Sequence, residues 1–136
     1  MSRATKLERV AHANDLIKAI GSHGRRFFWN ECDQRFARLE LDERGKVWFI
    51  DDYRGARVFT HQTNFTNHWK GFSHGGTLRS LVESMRDYIV HGTPIPRWRI
   101  ATEQLYGDHD VWGYGAEAST AVRLAAFALP IMEITR

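Results

Sequence analysis

The residues best suited to chemistry stand just before a predicted helix that begins near residue 77. Gly75 and Gly76 let the backbone approach a ligand closely, and the first N–H groups of a helix point outward at the positive end of its dipole. Donor side chains surround the two glycines at Lys70, Ser73, Thr77 and Arg79. This combination predicts a cradle for an anion or a phosphate group, although the spacing is not that of a Walker A loop. The alternative is that the glycines only turn the chain into a capped helix.

A second basic segment resembles the first in composition. Ser22, His23 and Gly24 form another Ser-His-Gly run and lead into Arg25 and Arg26. The ordinary interpretation is a helix C-terminus, where Gly and His are both favourable. If the two runs meet in space, their basic residues form one positive pocket. The predicted ligand-binding residues are Arg25, Arg26, His61, Trp69, Lys70, Ser73, His74, Gly75, Gly76, Thr77 and Arg79.

A metal site is a weaker interpretation of the histidines. His61, His68 and His74 share one loop region, but they are seven and six residues apart, without the tight pairs typical of zinc sites. We therefore predict neither a metal nor another cofactor.

Catalytic interpretations are weaker still. Cys32 lies between Glu31 and Asp33, whose carboxylates disfavour a thiolate. Asp51 and Asp52 could hold Mg²⁺ or share a proton, but Asp at the start of a β-turn is the ordinary explanation. No compact set of acid, base and nucleophile emerges, so we name no catalytic residue and do not expect an enzyme.

Aromatic residues offer a third kind of site. The chain has five Trp and eight Phe in 136 residues. Those that could stack on bases are Trp29, Trp48, Phe59, Trp69 and Trp98. The competing interpretation is that they form the core, because base-stacking sheets usually carry denser basic charge.

The first element that must position these residues is a helix over Thr5 to Ile20. Its predicted apolar stripe contains Leu7, Val10, Ala13 or Asn14, Ile17 and Ile20. Thr5 is the expected N-cap, and Gly21 is expected to adopt a left-handed conformation after the last helical residue.

Four short strands follow, over Arg26–Asn30, Phe36–Leu41, Lys46–Asp51 and Ala56–Thr60. Two turns that begin with Asp42 or Asp52 and end with Gly45 or Gly55 join the last three strands, which suits a glycine with positive φ. The third strand is apolar on both faces. Either both faces of the sheet are covered, or the second face is a binding or dimer surface.

The remaining elements are helical. A helix is predicted over Thr77 to His91 with Thr77 as its N-cap and Gly92 after its end, and a third over Ala116 to Leu129, before Pro130. The expected fold is α+β: a four-stranded antiparallel β-meander flanked by an N-terminal helix and one or two C-terminal helices. We expect one domain over residues 1–136, with a core over about 5–92 and a C-terminal extension over 93–136.

Charge, cysteine content and hydrophobicity limit the expected ligands and cellular location of the protein. The net charge is +3, and residues 1–30 and 61–100 hold the basic excess, which is mild for a general nucleic-acid binder. One cysteine excludes an internal disulfide, and no stretch approaches the length of a membrane span. A cytoplasmic protein is expected.

Several runs of this sequence resemble small uncharacterised proteins of bacteriophages and prophages. The likeness covers roughly residues 16–96 and includes His23–Phe28, Val47–Tyr53, Trp69–Arg79 and Arg86–Ile89. The resemblance brings no catalytic motif. It implies a bacterial host cytoplasm and an accessory role in infection, such as inhibiting a host defence or sequestering a signal nucleotide.

Two functions are therefore expected as alternatives. The first is a non-enzymatic protein that binds a nucleotide or nucleic-acid phosphate at the Gly75 and Gly76 helix start. The second is a protein–protein interaction module that acts on a host protein, or forms a homodimer through the apolar sheet face.

Overall fold

Two helices enclose one side of a small antiparallel β-structure. This computed structural model describes residues 5–22, 28–53, 55–61, 76–96, 121–122 and 124–132. The elements in chain order are α1 (Lys6–Gly21), β1 (Trp29–Asn30), β2 (Arg35–Phe36), β3 (Arg38–Leu41), β4 (Val47–Ile50), β5 (Arg57–Phe59) and α2 (Gly76–His91). The fold is α+β, as the sequence predicts.

Helix α1 begins at a capping box. The Thr5 hydroxyl accepts a hydrogen bond from the Glu8 N–H at 3.1 Å, and the Glu8 carboxylate accepts one from the Thr5 N–H at 2.7 Å. The predicted N-cap is confirmed. The prediction for Gly21 is wrong: Gly21 is the last helical residue, because the Ser22 N–H still bonds the Lys18 carbonyl and Ser22 caps the helix with φ −86°.

The strands pair antiparallel within two separate sheets, because the second predicted strand is interrupted. The Ala37 N–H donates to the Phe28 carbonyl at 2.8 Å, beside the β1–β2 pair, whereas Arg38 begins the ladder with β4. The meander therefore consists of a two-stranded sheet, β1–β2, and a three-stranded sheet, β3–β4–β5.

The predicted turn glycines are confirmed. Gly45 and Gly55 have φ of 77° and 70°, and Gly92 after α2 has φ of 78°. Asp42 supports its turn by accepting hydrogen bonds from the Arg44 and Lys46 N–H groups, each at 2.9 Å.

The three-stranded sheet has two unlike faces. Its inner face presents a row of buried side chains, Leu39, Phe49 and Val58, to the core shared with α1 and α2. Its outer face carries two cross-strand rows, formed by Arg38, Ile50 and Arg57 and by Glu40, Trp48 and Phe59.

The C-terminal segment joins the same core. Ile95 and Met132 form a parallel bridge, and Val122 and Ala126 belong to the buried cluster. Residues 121–122 and 124–126 are helical, but residues 127–130 form turns, so the third helix ends before the predicted Leu129. Leu129 precedes a proline, and its N–H instead closes a turn on the Ala126 carbonyl at 3.0 Å. No helix within the described ranges is both long and apolar enough to cross a bilayer.

Candidate functional site

The structure describes four of the eleven predicted ligand-binding residues. These are His61, Gly76, Thr77 and Arg79. The others lie outside the described residues: Arg25, Arg26, Trp69, Lys70, Ser73, His74 and Gly75. The described part of the site therefore consists of the two ends of the segment over residues 61–76.

Helix α2 begins at Gly76, one residue earlier than predicted. Thr77 consequently lies within the first helical turn, so the prediction that Thr77 is the N-cap is wrong. The first turn contains no acidic residue. Its outward N–H groups and the helix dipole therefore meet no carboxylate of their own turn.

Arg79 completes the first turn of α2. Its side chain is 12% exposed, and its Nη2 atom lies 3.9 Å from the Glu83 Oε2 atom, one turn further on. A separation of 3.9 Å is at the outer limit of an ion pair, so this carboxylate engages Arg79 weakly.

His61 occupies a position that a regular β-ladder would give to a backbone carbonyl. Phe49 pairs with Val58 and Trp48 with Phe59, so the next pair along β4 and β5 would be Val47 with Thr60. The Val47 N–H instead donates to the His61 Nε2 atom at 3.1 Å. The sheet thus ends with an imidazole in place of a peptide oxygen.

Thr60 remains tied to β4 while its own carbonyl turns away. Its N–H and hydroxyl both donate to the Val47 carbonyl, at 3.3 and 2.7 Å. The Thr60 carbonyl accepts a hydrogen bond from the Arg86 guanidinium of α2. We call the group of Val47, Thr60, His61 and Arg86 the β4–β5 clamp.

The clamp lies in positive surroundings. Partial burial is the largest cause that lowers the pKa of His61, and the charges of Arg86 and Lys46 lower the pKa further. Asp42 and Asp87 raise the pKa, but each has a smaller effect than either cation. At the His61 ring, the two cations therefore outweigh the two carboxylates.

The two described ends do not coincide in space. Arg86 follows Gly76 by ten residues of α2, which corresponds to ~15 Å of helix axis. His61 therefore lies beside the third turn of α2, whereas Thr77 and Arg79 lie in its first turn. Any single ligand that touches both ends must be extended, or must bind through the residues between them.

Sequence reasoning did not assign Arg86 to the site, although a signal was present. Arg79 and Arg86 are seven residues apart on a helix, a spacing that brings both to one face. That spacing places both arginines on one face of α2, where Glu83 lies between them and Asp87 pairs with Arg86.

On the outer face of the sheet, the aromatic side chains contact neighbouring side chains. The Arg57 guanidinium lies 4.3 Å from the Trp48 ring centroid, and the Trp48 and Phe59 centroids are 4.9 Å apart. The Trp48 Nε1–H donates to the Asp42 carboxylate at 2.9 Å. Trp48 and Phe59 are thus half-buried members of a packed cluster on the outer face, and neither belongs to the buried core.

The weaker candidates occupy structural positions. Asp51 and Asp52 are 0% and 4% exposed, and the Asp51 carboxylate accepts a hydrogen bond from the Tyr53 N–H at 3.0 Å, which is the expected turn contact. Cys32 is an exposed free thiol in the turn between β1 and β2. Among the residues that the structure describes, no three His, Cys, Asp or Glu side chains are grouped so that they could hold a metal ion.

Comparison with known proteins agrees with the resemblance drawn from the sequence. The chain is 29% identical over 133 residues to the SPbeta prophage-derived uncharacterized protein YoqU of Bacillus subtilis (strain 168). The aligned region covers 98% of this chain and 89% of that relative. No solved structure matches the chain. The model of the YoqU family matches residues 3–135. Because that match spans nearly the whole sequence, the chain belongs to the YoqU family, and its likeness to small prophage proteins is confirmed.

Proposed function

We propose that this protein is a non-enzymatic prophage accessory protein that binds an anionic ligand, a nucleotide or a nucleic-acid phosphate, at the start of α2. The host cell cytoplasm is the proposed location. The observation that carries the proposal is that α2 begins with no acidic residue and with Arg79 in its first turn, while the charges of Arg86 and Lys46 act at His61. The following contacts support it.

The end of the segment at α2 has the properties of an anion site. Gly76 opens a helix of 16 residues whose first turn carries no acidic side chain. The helix dipole favours phosphate there, and Arg79 adds a guanidinium that suits bidentate recognition. The weak Arg79–Glu83 pair at 3.9 Å is a contact that a phosphate can displace.

The beginning of the segment adds a second positive region. Arg86 and Lys46 dominate the charges that act on His61. Arg86 shares a helix face with Arg79 about two turns away, and because Glu83 lies between them, the arginines are two separate cations. An extended anion, such as a short nucleic acid or a linked nucleotide, fits this distribution better than a lone phosphate ion.

A ligand panel tests the proposal. Thermal unfolding of the full chain is measured with mononucleotides, cyclic oligonucleotides, short single strands and inorganic phosphate, and each hit is confirmed by calorimetry. A ligand at a hundred times its Kd stabilises by about 2.7 kcal/mol, which for this chain length raises Tm by on the order of 10 °C. If no member of the panel shifts Tm or releases heat with the wild-type protein, the proposal is wrong.

Two matched substitutions locate the site. Arg79→Gln removes the cation of the first turn, and loss of one charge-assisted hydrogen bond weakens binding by roughly tenfold or more. Glu83→Gln removes the competing carboxylate from the same pair, so it strengthens binding. If the two variants change the affinity in the same direction, the ligand does not use Arg79.

The outer face of the three-stranded sheet favours a second candidate, a protein–protein interaction module in which this face meets a second copy of the chain. Trp48 and Phe59, both half-buried, give the face an apolar centre, and Arg38 and Glu40 place opposite charges 3.0 Å apart at its edge. Two such faces related by a two-fold axis can exchange these ion pairs. Sedimentation tests this candidate, which predicts that the wild type is a dimer. Arg57→Glu should dissociate the dimer, and the control Arg44→Glu should not. A monomer at every concentration would contradict this candidate.

A further inference from the structure

One hydrogen bond of the β4–β5 clamp depends on the protonation state of His61. The Val47 N–H is a donor, so the His61 Nε2 atom at 3.1 Å must offer a lone pair. The imidazole is therefore neutral, with its proton on Nδ1. A protonated imidazole carries N–H on both nitrogens and would bring two donors face to face.

We propose that His61 is a proton-operated latch: the neutral ring ties the end of β4 to the chain that leaves β5, and protonation releases the ring from Val47. The other contacts of the clamp do not involve the ring. Thr60 donates to the Val47 carbonyl, and Arg86 donates to the Thr60 carbonyl. Release is therefore local, and the three-stranded sheet persists.

The charged groups of the described elements that act on the His61 ring shift its protonation equilibrium. Arg86 and Asp87 face it from α2, and Lys46 and Asp42 face it from the β3–β4 hairpin. The cations outweigh the carboxylates and, together with burial, lower the pKa of His61. The Phe59 ring, with its centroid 5.2 Å from that of His61, covers it from β5.

The lowered pKa of His61 determines at which pH the latch opens. The latch is closed above the lowered pKa of His61 and opens as the pH falls through it. Once open, the ring carries a positive charge beside Arg86 and Lys46. The chain at the start of the 61–76 segment thus gains a charge and loses a tether in the same step.

The tautomer is the first measurement. Two-bond ¹H–¹⁵N spectra of the ring at pH 7.5 distinguish a protonated Nδ1 from a protonated Nε2 atom. The latch requires the Nδ1–H form for His61. An Nε2–H form, or a mixture such as a free imidazole shows, would overturn it.

Amide exchange at Val47 is the second measurement, made on the wild type and two variants between pH 7.5 and 5.5. The neutral fraction of the ring falls as the pH approaches the lowered pKa of His61, and the protection of Val47 falls with it. His61→Gln keeps an acceptor that does not titrate, so protection stays constant. His61→Phe has no acceptor, so protection is low throughout.

His91→Gln serves as the control, because His91 is exposed on the last turn of α2. This variant should keep the wild-type pH dependence. If Val47 protection in the wild type does not change with pH, or changes equally in His61→Gln, the latch does not exist.

Discussion

The side-chain amide of Asn14 occupies the place of a neighbouring strand beside Leu39. The Leu39 N–H donates to the Asn14 Oδ1 atom at 2.6 Å, and the Asn14 amide donates to the Leu39 carbonyl at 3.1 Å. A helix residue thereby satisfies both backbone groups at an exposed edge of β3, which would otherwise be open to pairing with another chain. A side chain also replaces a backbone partner at the end of the β4–β5 ladder, where the His61 ring takes the place of a carbonyl for Val47.

Asn14→Ala should destabilise the protein because it leaves the Leu39 N–H and carbonyl unpaired. Each unpaired group that is withdrawn from water costs roughly 1–3 kcal/mol. Asn14→Asp keeps an acceptor for the Leu39 N–H but sets a carboxylate oxygen against the Leu39 carbonyl, so it should also destabilise the protein. Urea unfolding measures both, with exposed Asp15→Ala as the control for helix propensity. An Asn14→Ala variant as stable as the control would show that the edge is satisfied in another way.

Leu16→Ala and Leu7→Ala form a matched pair on α1. Leu16 is 0% exposed in the core, whereas Leu7 is 71% exposed. We expect a loss of about 2–5 kcal/mol for Leu16→Ala and less than about 0.5 kcal/mol for Leu7→Ala. Denaturant midpoints of the two variants measure the difference, and equal losses would contradict the described orientation of the helix.

This pair also shows what periodicity can and cannot predict. The sequence assigned Leu7 to the apolar stripe and omitted Leu16. A helical spacing of three and four residues defines an apolar face, but it does not say how far along the helix the core reaches or how wide the contact is. Ile17 and Ile20 were predicted correctly because they lie near the centre of that contact.

The helix cap and the turn glycines could be predicted from the sequence. The Thr5 cap and the Gly45 and Gly55 turns depend on residues within a few positions of each other. The break of the strand at Ala37 and the contact of His61 with Val47 depend on partners brought from elsewhere in the chain. No sequence spacing encodes them, and for that reason the candidate site was only partly predictable.

Asp42 should make the β3–β4 hairpin sensitive to acid. The hydrogen bond from Trp48, followed by that from the Lys46 N–H, lowers the pKa of Asp42 below 3.8. Its stabilising effect is therefore present above pH 3.8 and is lost as the pH falls through the lowered pKa. Urea unfolding at pH 5 and pH 3 should show a smaller acid loss for Asp42→Asn than for the wild type. Because Glu8 also has a lowered pKa, the variant should retain some acid dependence, and an unchanged loss would contradict the assignment.

The proposed anion site is tested most directly by amide chemical shifts of the ¹⁵N-labelled protein. The titrant is the phosphate-bearing ligand that gives the largest thermal shift, with inorganic phosphate as the reference. We expect saturable shifts that are largest at the N–H groups of Gly76, Thr77 and Arg79, and a much weaker response in Arg79→Gln. Saturable binding with its largest shifts on the outer face, at Trp48 or Arg57, or no shift at the first turn of α2, would contradict the account.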